Sequence, residues 1–243
     1  MMHRRLLLAL LILAACKRDE PPAPPPPKPP PPPAAASAGR NLAMGMGEVR
    51  ETQPFTMEQR LLDAVRRDDR PTIEKALERG ATVGAKDDLQ RSTVLLAVKD
   101  AKDLELVRWL HGKGAAIDEP DLGGRTALSF AAEGGSLAIV QYLVEQGAPA
   151  DRRDGQGRSP LFHAALGDHA DVVVYLLDHR ADPNVRDQFG DTPLMVACAK
   201  GHAKTAAVLL ARGADPSLKD QEGRTAKERA AVGTEPCQQL QAP

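Results

Sequence analysis

Cysteine and histidine are the residue types in this chain best suited to metal binding or nucleophilic chemistry, and the chain has three cysteines and six histidines. The histidines form no HExxH motif and no paired spacing typical of metal ligands. The sequence also lacks a GxSxG nucleophile motif, a P-loop and a GxGxxG motif. We therefore expect no catalytic site, no metal and no cofactor, and the sequence favours a protein that is not an enzyme.

Cys16 is the cysteine whose position indicates a specific reaction. A basic start with Arg4 and Arg5 precedes ten apolar residues, from Leu6 to Ala15, and Cys16 follows at once. Ten residues are too few to cross a bilayer, which needs about 20. A basic start, a short apolar stretch and small residues before the cysteine are typical of a secretory signal peptide. Ordinary cleavage and an uncleaved anchor remain the alternatives.

The end of this segment, Leu13-Ala14-Ala15-Cys16, resembles the lipobox of bacterial lipoproteins. The resemblance implies that residues 1–15 are removed and that the Cys16 thiol carries the lipid. We expect the chain to lie in the bacterial cell envelope, anchored to a membrane through this lipid and facing the periplasm. In such families an aspartate after the cysteine often means retention in the inner membrane. The residue here is Lys17, which favours the outer membrane.

Residues 16–56 are predicted to form a linker. Eleven of the 21 prolines of the chain lie between Pro21 and Pro33. Such a run adopts extended polyproline II structure and spans roughly 40 Å at about 3.1 Å per residue. We interpret it as a stiff stalk, with a ligand for a proline-binding module as the alternative.

The remaining sequence repeats with a period of 33 residues. In four of five units a leucine follows the repeated threonine or serine by two residues, and in four of five a glycine precedes it by two. The threonine or serine recurs at Thr93, Thr126, Ser159, Thr192 and Thr225. A fixed period of this length indicates stacked structural units rather than a single compact core.

The unit at 187–219 shows how each repeat is expected to fold. Gly190 supplies a turn, Thr192 caps a first helix, and Pro193 occupies its first position, where the missing N–H costs nothing. Gly201 ends that helix, and Gly213 ends a second one. Both helices are too short to be stable alone, so adjacent units must bury each other's apolar sides.

These units resemble ankyrin repeats. The resemblance is carried by SPLFHAAL at 159–166, TPLMVACAKGH at 192–202 and GADP at 213–216. It implies an all-α solenoid of about six helix-turn-helix units joined by β-turn fingers, at 57–87, 88–120, 121–153, 154–186, 187–219 and 220–240. The first and last units are interpreted as terminal caps. Glycines of the pattern are replaced by Arg91 in a turn, by Lys102 and Asp168 between helices, and by Arg180 after a helix.

Four further side chains are assigned structural roles. His163 and His202 lie at the histidine positions of the repeat, where the resemblance implies that the imidazole ties turns together. Trp109 lies at an apolar position of a second helix and is interpreted as core. Cys198 occupies a small-residue position, which favours a buried thiol. A disulfide with Cys237 is the less favoured alternative, conceivable in an oxidising compartment.

The resemblance also implies where a partner protein is bound, namely at the turn tips and the exposed side of the first helix. Arg125, Arg158 and Arg224 share one turn position, which Asp191 occupies in the unit at 187–219. The arginines would form either a row of guanidinium groups that contacts a partner or a charged stripe that is merely solvated. Phe189 is the aromatic at a tip, as in typical interface anchors. Tips are expected to tolerate substitution because they carry little packing. The candidate binding residues are Arg125, Arg158, Phe189, Arg224, Asp191, Glu133, Leu166 and Lys200.

The expected function is protein binding in the cell envelope. The net charge of −1 and the 3% aromatic content do not favour a nucleic acid as partner. We expect a monomer that binds another protein, in a sharper version as an immunity or inhibitor protein. The alternative is a structural spacer or assembly element of the envelope without a single dedicated partner.

Overall fold

The computed structural model describes residues 56–231 and 236–239 of the chain. Across these residues the chain forms paired helices joined by turns, with one isolated β-bridge between Lys86 and Ser92 and no sheet. A π-helix, Ala97–Ala101, continues α3, and a short 3-10 helix, Cys237–Gln239, follows the last α-helix. The prediction of an all-α repeat solenoid is confirmed. The α-helices are α1 (Met57–Arg66), α2 (Arg70–Glu78), α3 (Thr93–Leu96), α4 (Leu104–Gly112), α5 (Ala127–Glu133), α6 (Leu137–Glu145), α7 (Pro160–Leu166), α8 (Ala170–Asp178), α9 (Pro193–Lys200), α10 (Ala203–Ala211) and α11 (Ala226–Arg229).

The predicted signal peptide at 1–15, the acylated Cys16 and the proline-rich segment lie outside the described residues. In the part that the structure describes, no helix has the length and apolar character required to span a membrane.

Side-chain caps start the first helix of each unit, as α7 and α9 illustrate. The Ser159 hydroxyl accepts a hydrogen bond from the Phe162 N–H at 3.3 Å, and the Thr192 hydroxyl accepts one from the Met195 N–H at 3.3 Å. A proline follows each cap at the first helical position. These helices of seven and eight residues are too short to persist alone. Their leucines, Leu161 and Leu194, are fully buried and belong to one core shared by neighbouring units.

The second unit has one more residue than the third between the cap of its first helix and the left-handed residue after that helix, and this corrects the predicted register. Ser92, not Thr93, caps α3, and its hydroxyl accepts from the Leu95 N–H at 3.3 Å. The left-handed turn position belongs to Gln90, with φ of 60°, and not to Arg91. The wider π-helical turn at Ala97–Ala101 accommodates the additional residue before the chain meets the left-handed Lys102.

Three side chains replace glycine without changing the backbone conformation. Lys102, Asp168 and Arg180 have φ values of 56°, 62° and 68°, in the left-handed region. This conformation costs a non-glycine residue about 1 to 2 kcal/mol. The surrounding repeats therefore fix the local geometry even where the sequence does not favour it.

The last unit ends in a covalent contact that the sequence did not favour. The sulfur atoms of Cys198 and Cys237 form a disulfide bond, with the Cα atoms 5.8 Å apart, so the interpretation of Cys198 as a free thiol is wrong. Helix α11 has only four residues, and the chain then returns to α9, where the Ala231 N–H donates to the Cys198 carbonyl at 3.0 Å. This return brings Cys237 to the buried end of the core.

The histidines and Trp109 occupy structural positions. The His163 ring is buried and its Nε2 lies 2.9 Å from Asp154 Oδ2, while His202 Nε2 lies 3.3 Å from the Leu166 carbonyl of the preceding unit. Trp109 is half-buried and packs against the core. Among the described residues, no group of three potential ligands is arranged to hold a metal ion.

Candidate protein-binding surface

Five fingers project from the solenoid, and each begins with an aspartate that organises its turn. We define the fingers as residues 87–91, 121–125, 154–158, 187–191 and 220–224. In the third finger Asp154 Oδ1 accepts hydrogen bonds from the N–H groups of Gln156 and Arg158, both at 2.9 Å. The corresponding pair of bonds recurs at the aspartate of every finger. The turn shape is therefore fixed by the same buried or half-buried carboxylate in each unit.

Backbone hydrogen bonds join each finger to the next. The Leu122 N–H donates to the Leu89 carbonyl at 3.0 Å, and the Gln221 N–H donates to the Phe189 carbonyl at 3.0 Å. The intermediate fingers are joined by the bonds from Gly155 to Gly123 and from Gln188 to Gln156, both at 2.7 Å. The five fingers consequently form one continuous, preorganised row.

Gly124 shows why this close approach needs glycine. Its φ is 77°, and a Cβ atom on it would lie 2.8 Å from the backbone nitrogen of Gly155 in the next finger. A side chain at this position would both strain the turn and push the two fingers apart. The repeated glycine of the 33-residue pattern thus permits the spacing of the row.

The large exposed hydrophobic side chains of the described residues all lie on fingers. Leu89, Leu122 and Phe189 are 50%, 68% and 52% exposed, whereas the leucines of the helices are buried or half-buried. Leu89 and Leu122 lie on adjacent fingers, joined by the backbone bond described above. Apolar side chains held on a rigid edge of the molecule are the kind of feature that marks a protein contact.

Arg125 and Glu133, two of the candidate binding residues, form an ion pair with each other. Arg125 Nη2 contacts Glu133 Oε2, and the Arg125 guanidinium carbon lies 3.8 Å from the centre of the Phe130 ring. The Arg125 Nε atom is buried and has no hydrogen-bond partner among the described residues. This arginine therefore folds from its finger onto the first helix of its own unit.

The arginines of the later fingers also have carboxylate partners. Arg158 Nε lies 3.4 Å from Oδ2 of Asp187, whose side chain is fully buried, so Arg158 links two fingers. The expectation that tips tolerate substitution therefore does not hold for Arg158, which contacts the next finger. Arg224 contacts Asp220 at 3.1 Å and Glu222 at 2.9 Å and stays partly exposed. The three arginines of the predicted row recur in the sequence, but the guanidinium group of each already contacts a carboxylate of the protein.

Asp191, which stands in place of an arginine in this row, forms an ion pair with a residue of the next unit. Its Oδ1 contacts Nη1 of Arg229 on α11, and the same nitrogen lies 3.3 Å from Asp220 Oδ2. Burial raises the pKa of Asp191 above its ordinary value, although the Arg229 contact opposes this shift. Arg229 thereby connects the fingers of the last two units, a role that the sequence pattern did not reveal.

Leu166 and Lys200 lie at the ends of α7 and α9, on the first-helix side. Leu166 is half-buried, and its carbonyl meets His202. Lys200 is exposed. Phe189 remains the candidate with an exposed aromatic ring.

Residues outside the candidate set also line this side of the molecule. Leu89 precedes Leu122 by 33 residues, so the repeat spacing itself marks it as a tip residue. Lys99 lies in the π-helix and Lys102 directly after it, and both line a cleft beside Arg125 of the second finger.

A known protein family has this architecture. The family model for ankyrin repeats matches three times, at residues 61–154, 94–187 and 179–240. A search of curated proteins finds no significant match. Ankyrin repeats serve as protein interaction modules and are typically non-enzymatic scaffolds. Because the matched residues cover more than half of the chain, this protein belongs to the ankyrin repeat family.

Proposed function

We propose that this chain is a lipid-anchored ankyrin repeat protein of the bacterial cell envelope that binds one partner protein through its finger row. The observation that carries the proposal is the exposure of Leu89, Leu122 and Phe189 on fingers that backbone bonds hold in line. A preorganised surface loses little conformational freedom on binding, which favours affinity. A stalk and a lipid on Cys16 would hold this surface near the membrane.

The disulfide supports the export of the chain. Disulfides persist in oxidising compartments such as the periplasm and are rare in the cytosol. Cys198 and Cys237 are both fully buried, and their bond joins the last unit to the one before it. This support is independent of the N-terminal sequence, since it comes from the opposite end of the chain.

The anchor is tested by replacing the thiol. Cys16→Ser should abolish labelling by a radioactive or alkyne-tagged fatty acid and should block normal processing of the signal peptide. The matched control is Cys237→Ser, which leaves labelling unchanged. A wild-type chain that is found without lipid in the soluble periplasmic fraction would overturn the anchor.

Partner binding is tested by cross-linking in cells. A photoreactive phenylalanine analogue at position 189 should yield a discrete adduct with one protein, because that side chain is exposed at a finger tip. The control is the same analogue at position 204, which is exposed on α10. Absence of an adduct at position 189, or equal adducts at both positions, would favour the spacer role instead.

An inhibitor or immunity role is the sharper form of this proposal. A membrane-held binder placed in the periplasm is suited to intercept a toxin or enzyme that arrives there. The identity of the protein in the adduct decides this point, because a toxin or enzyme is expected for an inhibitor and an envelope scaffold protein for an assembly element.

A further inference from the structure

A cleft on the first-helix side lies between the second and third units. Its volume is about 290 Å³, and it is lined by the π-helix, by Arg125 of the second finger and by the end of α5. The charged side chains that line it are three cations and one carboxylate: Lys99, Lys102, Arg125 and Glu133. We call this space the π-helix cleft.

The one-residue insertion of the second unit shapes the cleft. The insertion widens the last turn of the first helix into a π-helix, which carries Lys99, and ends it at Lys102. In the next unit the same turn ends at two glycines, Gly134 and Gly135. Lys102 therefore places a cation where Gly135 lies in the next unit.

Lys102 and the Nε atom of Arg125 form no ion pair or hydrogen bond within the described residues. Lys102 is exposed and forms no ion pair there. Arg125 uses Nη2 for Glu133, but its buried Nε has no acceptor. Lys99 is the exception, because it lies 3.0 Å from Asp100. A buried donor without an acceptor is costly, so an acceptor that enters the cleft would be favoured.

Two further clefts of the described residues are lined by more carboxylates than cations. The cleft beside α1 is lined by four carboxylates and two cations: Glu58, Asp63, Asp87, Asp88, Arg66 and Lys86. The cleft beside α11 is lined by three carboxylates and two cations: Asp191, Asp220, Glu222, Arg224 and Arg229. The π-helix cleft is therefore lined mainly by cations, whereas a cleft towards each end of the described repeats is lined mainly by carboxylates.

We infer that the π-helix cleft binds an acidic segment of the partner protein, with a carboxylate placed between Lys102 and Arg125. The half-buried Phe130 ring beneath the Arg125 guanidinium gives the cleft an apolar floor. A nucleic acid or an anionic membrane fits less well, because the acidic clefts on either side would repel a uniformly anionic surface. This inference rests on the proposed protein-binding function and adds the chemistry of the partner.

The test is a selection of random peptides displayed on phage against the full chain, purified in detergent. Selected peptides are expected to be enriched in aspartate and glutamate, and synthetic copies should bind more weakly as salt concentration rises. Lys102→Glu should weaken a selected peptide by about tenfold or more, because it places like charges together. Lys204→Glu on α10 is the matched control, with the same charge change and an expected effect within about twofold.

A second comparison separates local contact from altered folding. Lys102→Gln removes the charge without reversing it, and replacing the peptide glutamate by glutamine should produce a loss that is smaller in this variant than in wild type. Such coupling between the two substitutions indicates direct contact.

Peptides without acidic enrichment, equal losses in Lys102→Glu and Lys204→Glu, or no selected peptide at all would overturn the acidic occupant. These results would leave the proposed protein binding intact if the cross-link at position 189 still forms.

Discussion

Cys198 and Cys237 are 39 residues apart in the chain, yet their sulfur atoms are bonded and both residues are fully buried. The bond ties Cys237, which follows the four-residue helix α11, back to α9. The covalent link therefore fastens the last unit to the one before it.

Loss of the disulfide should lower the stability of the array. By the chain-entropy argument, a closed loop of this length contributes about 4 kcal/mol to the free energy of unfolding. Cys198→Ala with Cys237→Ala should therefore unfold at lower denaturant concentration than wild type. Reductant should shift the wild-type transition in the same direction and leave the variant unchanged. Rapid alkylation of Cys198 and Cys237 in chain unfolded without reductant would contradict the bond.

Arg158→Glu should destabilise the fold because it places a negative charge beside the buried Asp187 carboxylate. Unpairing of fully buried charges costs 3 to 5 kcal/mol, and the partial exposure of Arg158 reduces the expected loss to about 1 to 3 kcal/mol. Arg153→Glu, at an exposed arginine of the preceding unit, is the control and should change stability by under about 0.5 kcal/mol. Denaturant melts measure both. Equal effects would show that the contact between the two fingers contributes nothing.

Arg180→Gly should stabilise the protein. Arg180 has a φ of 68°, which glycine adopts without strain. Relief of that strain outweighs the added flexibility of the unfolded chain and should raise the free energy of unfolding by about 0.5 to 1 kcal/mol. Arg79 has a φ of −89° at the end of α2, so Arg79→Gly should instead lower it. A loss of stability in both variants would contradict the strained geometry.

His163 should make the protein less stable in mild acid. Burial lowers the pKa of His163 below its ordinary value, and the nearby Arg125 adds to the shift, while the contact with Asp154 opposes it. The unfolded chain then binds a proton more readily than the folded one. Stability is therefore retained above the unfolded pKa of about 6.5 and falls as the pH drops from there towards the folded pKa.

The measurement is the free energy of unfolding from about pH 7.5 to pH 5 for wild type and His163→Gln. The variant should lose less stability over this range, because its side chain does not titrate. His179→Gln, at an exposed histidine, is the control and should follow the wild type. A wild-type slope that His163→Gln leaves unaltered would assign the acid sensitivity to other groups.

The helix caps and core leucines could be read from the sequence because they depend on local pattern. Thr192, Pro193 and Leu194 occupy the places that the 33-residue period predicts. The predicted cap of the second unit was wrong because Ser92 and Thr93 are adjacent and both suit a cap, so the spacing alone favoured Thr93. Only the packing of the neighbouring units selects Ser92 and forces the π-helix.

The candidate binding surface was harder to predict because its charges act across units. Arg158 reaches Asp187 of the next finger, and Arg229 reaches Asp191 of the preceding one. Such pairs depend on how closely the fingers stack, which no repeat pattern specifies. Phe189 could be predicted because no neighbouring residue of the described chain covers an apolar side chain at a finger tip.

The most direct test of the account is a titration of the cross-linked partner, once purified, against wild type, Phe189→Ala and Lys204→Ala. Binding through the finger row predicts that Phe189→Ala raises the dissociation constant about tenfold or more, mainly through faster dissociation, with an unchanged melting curve. Lys204→Ala should leave the affinity within about twofold of wild type. Unchanged affinity in Phe189→Ala together with a clear loss in Lys204→Ala would place the binding surface on the second helices and contradict the account.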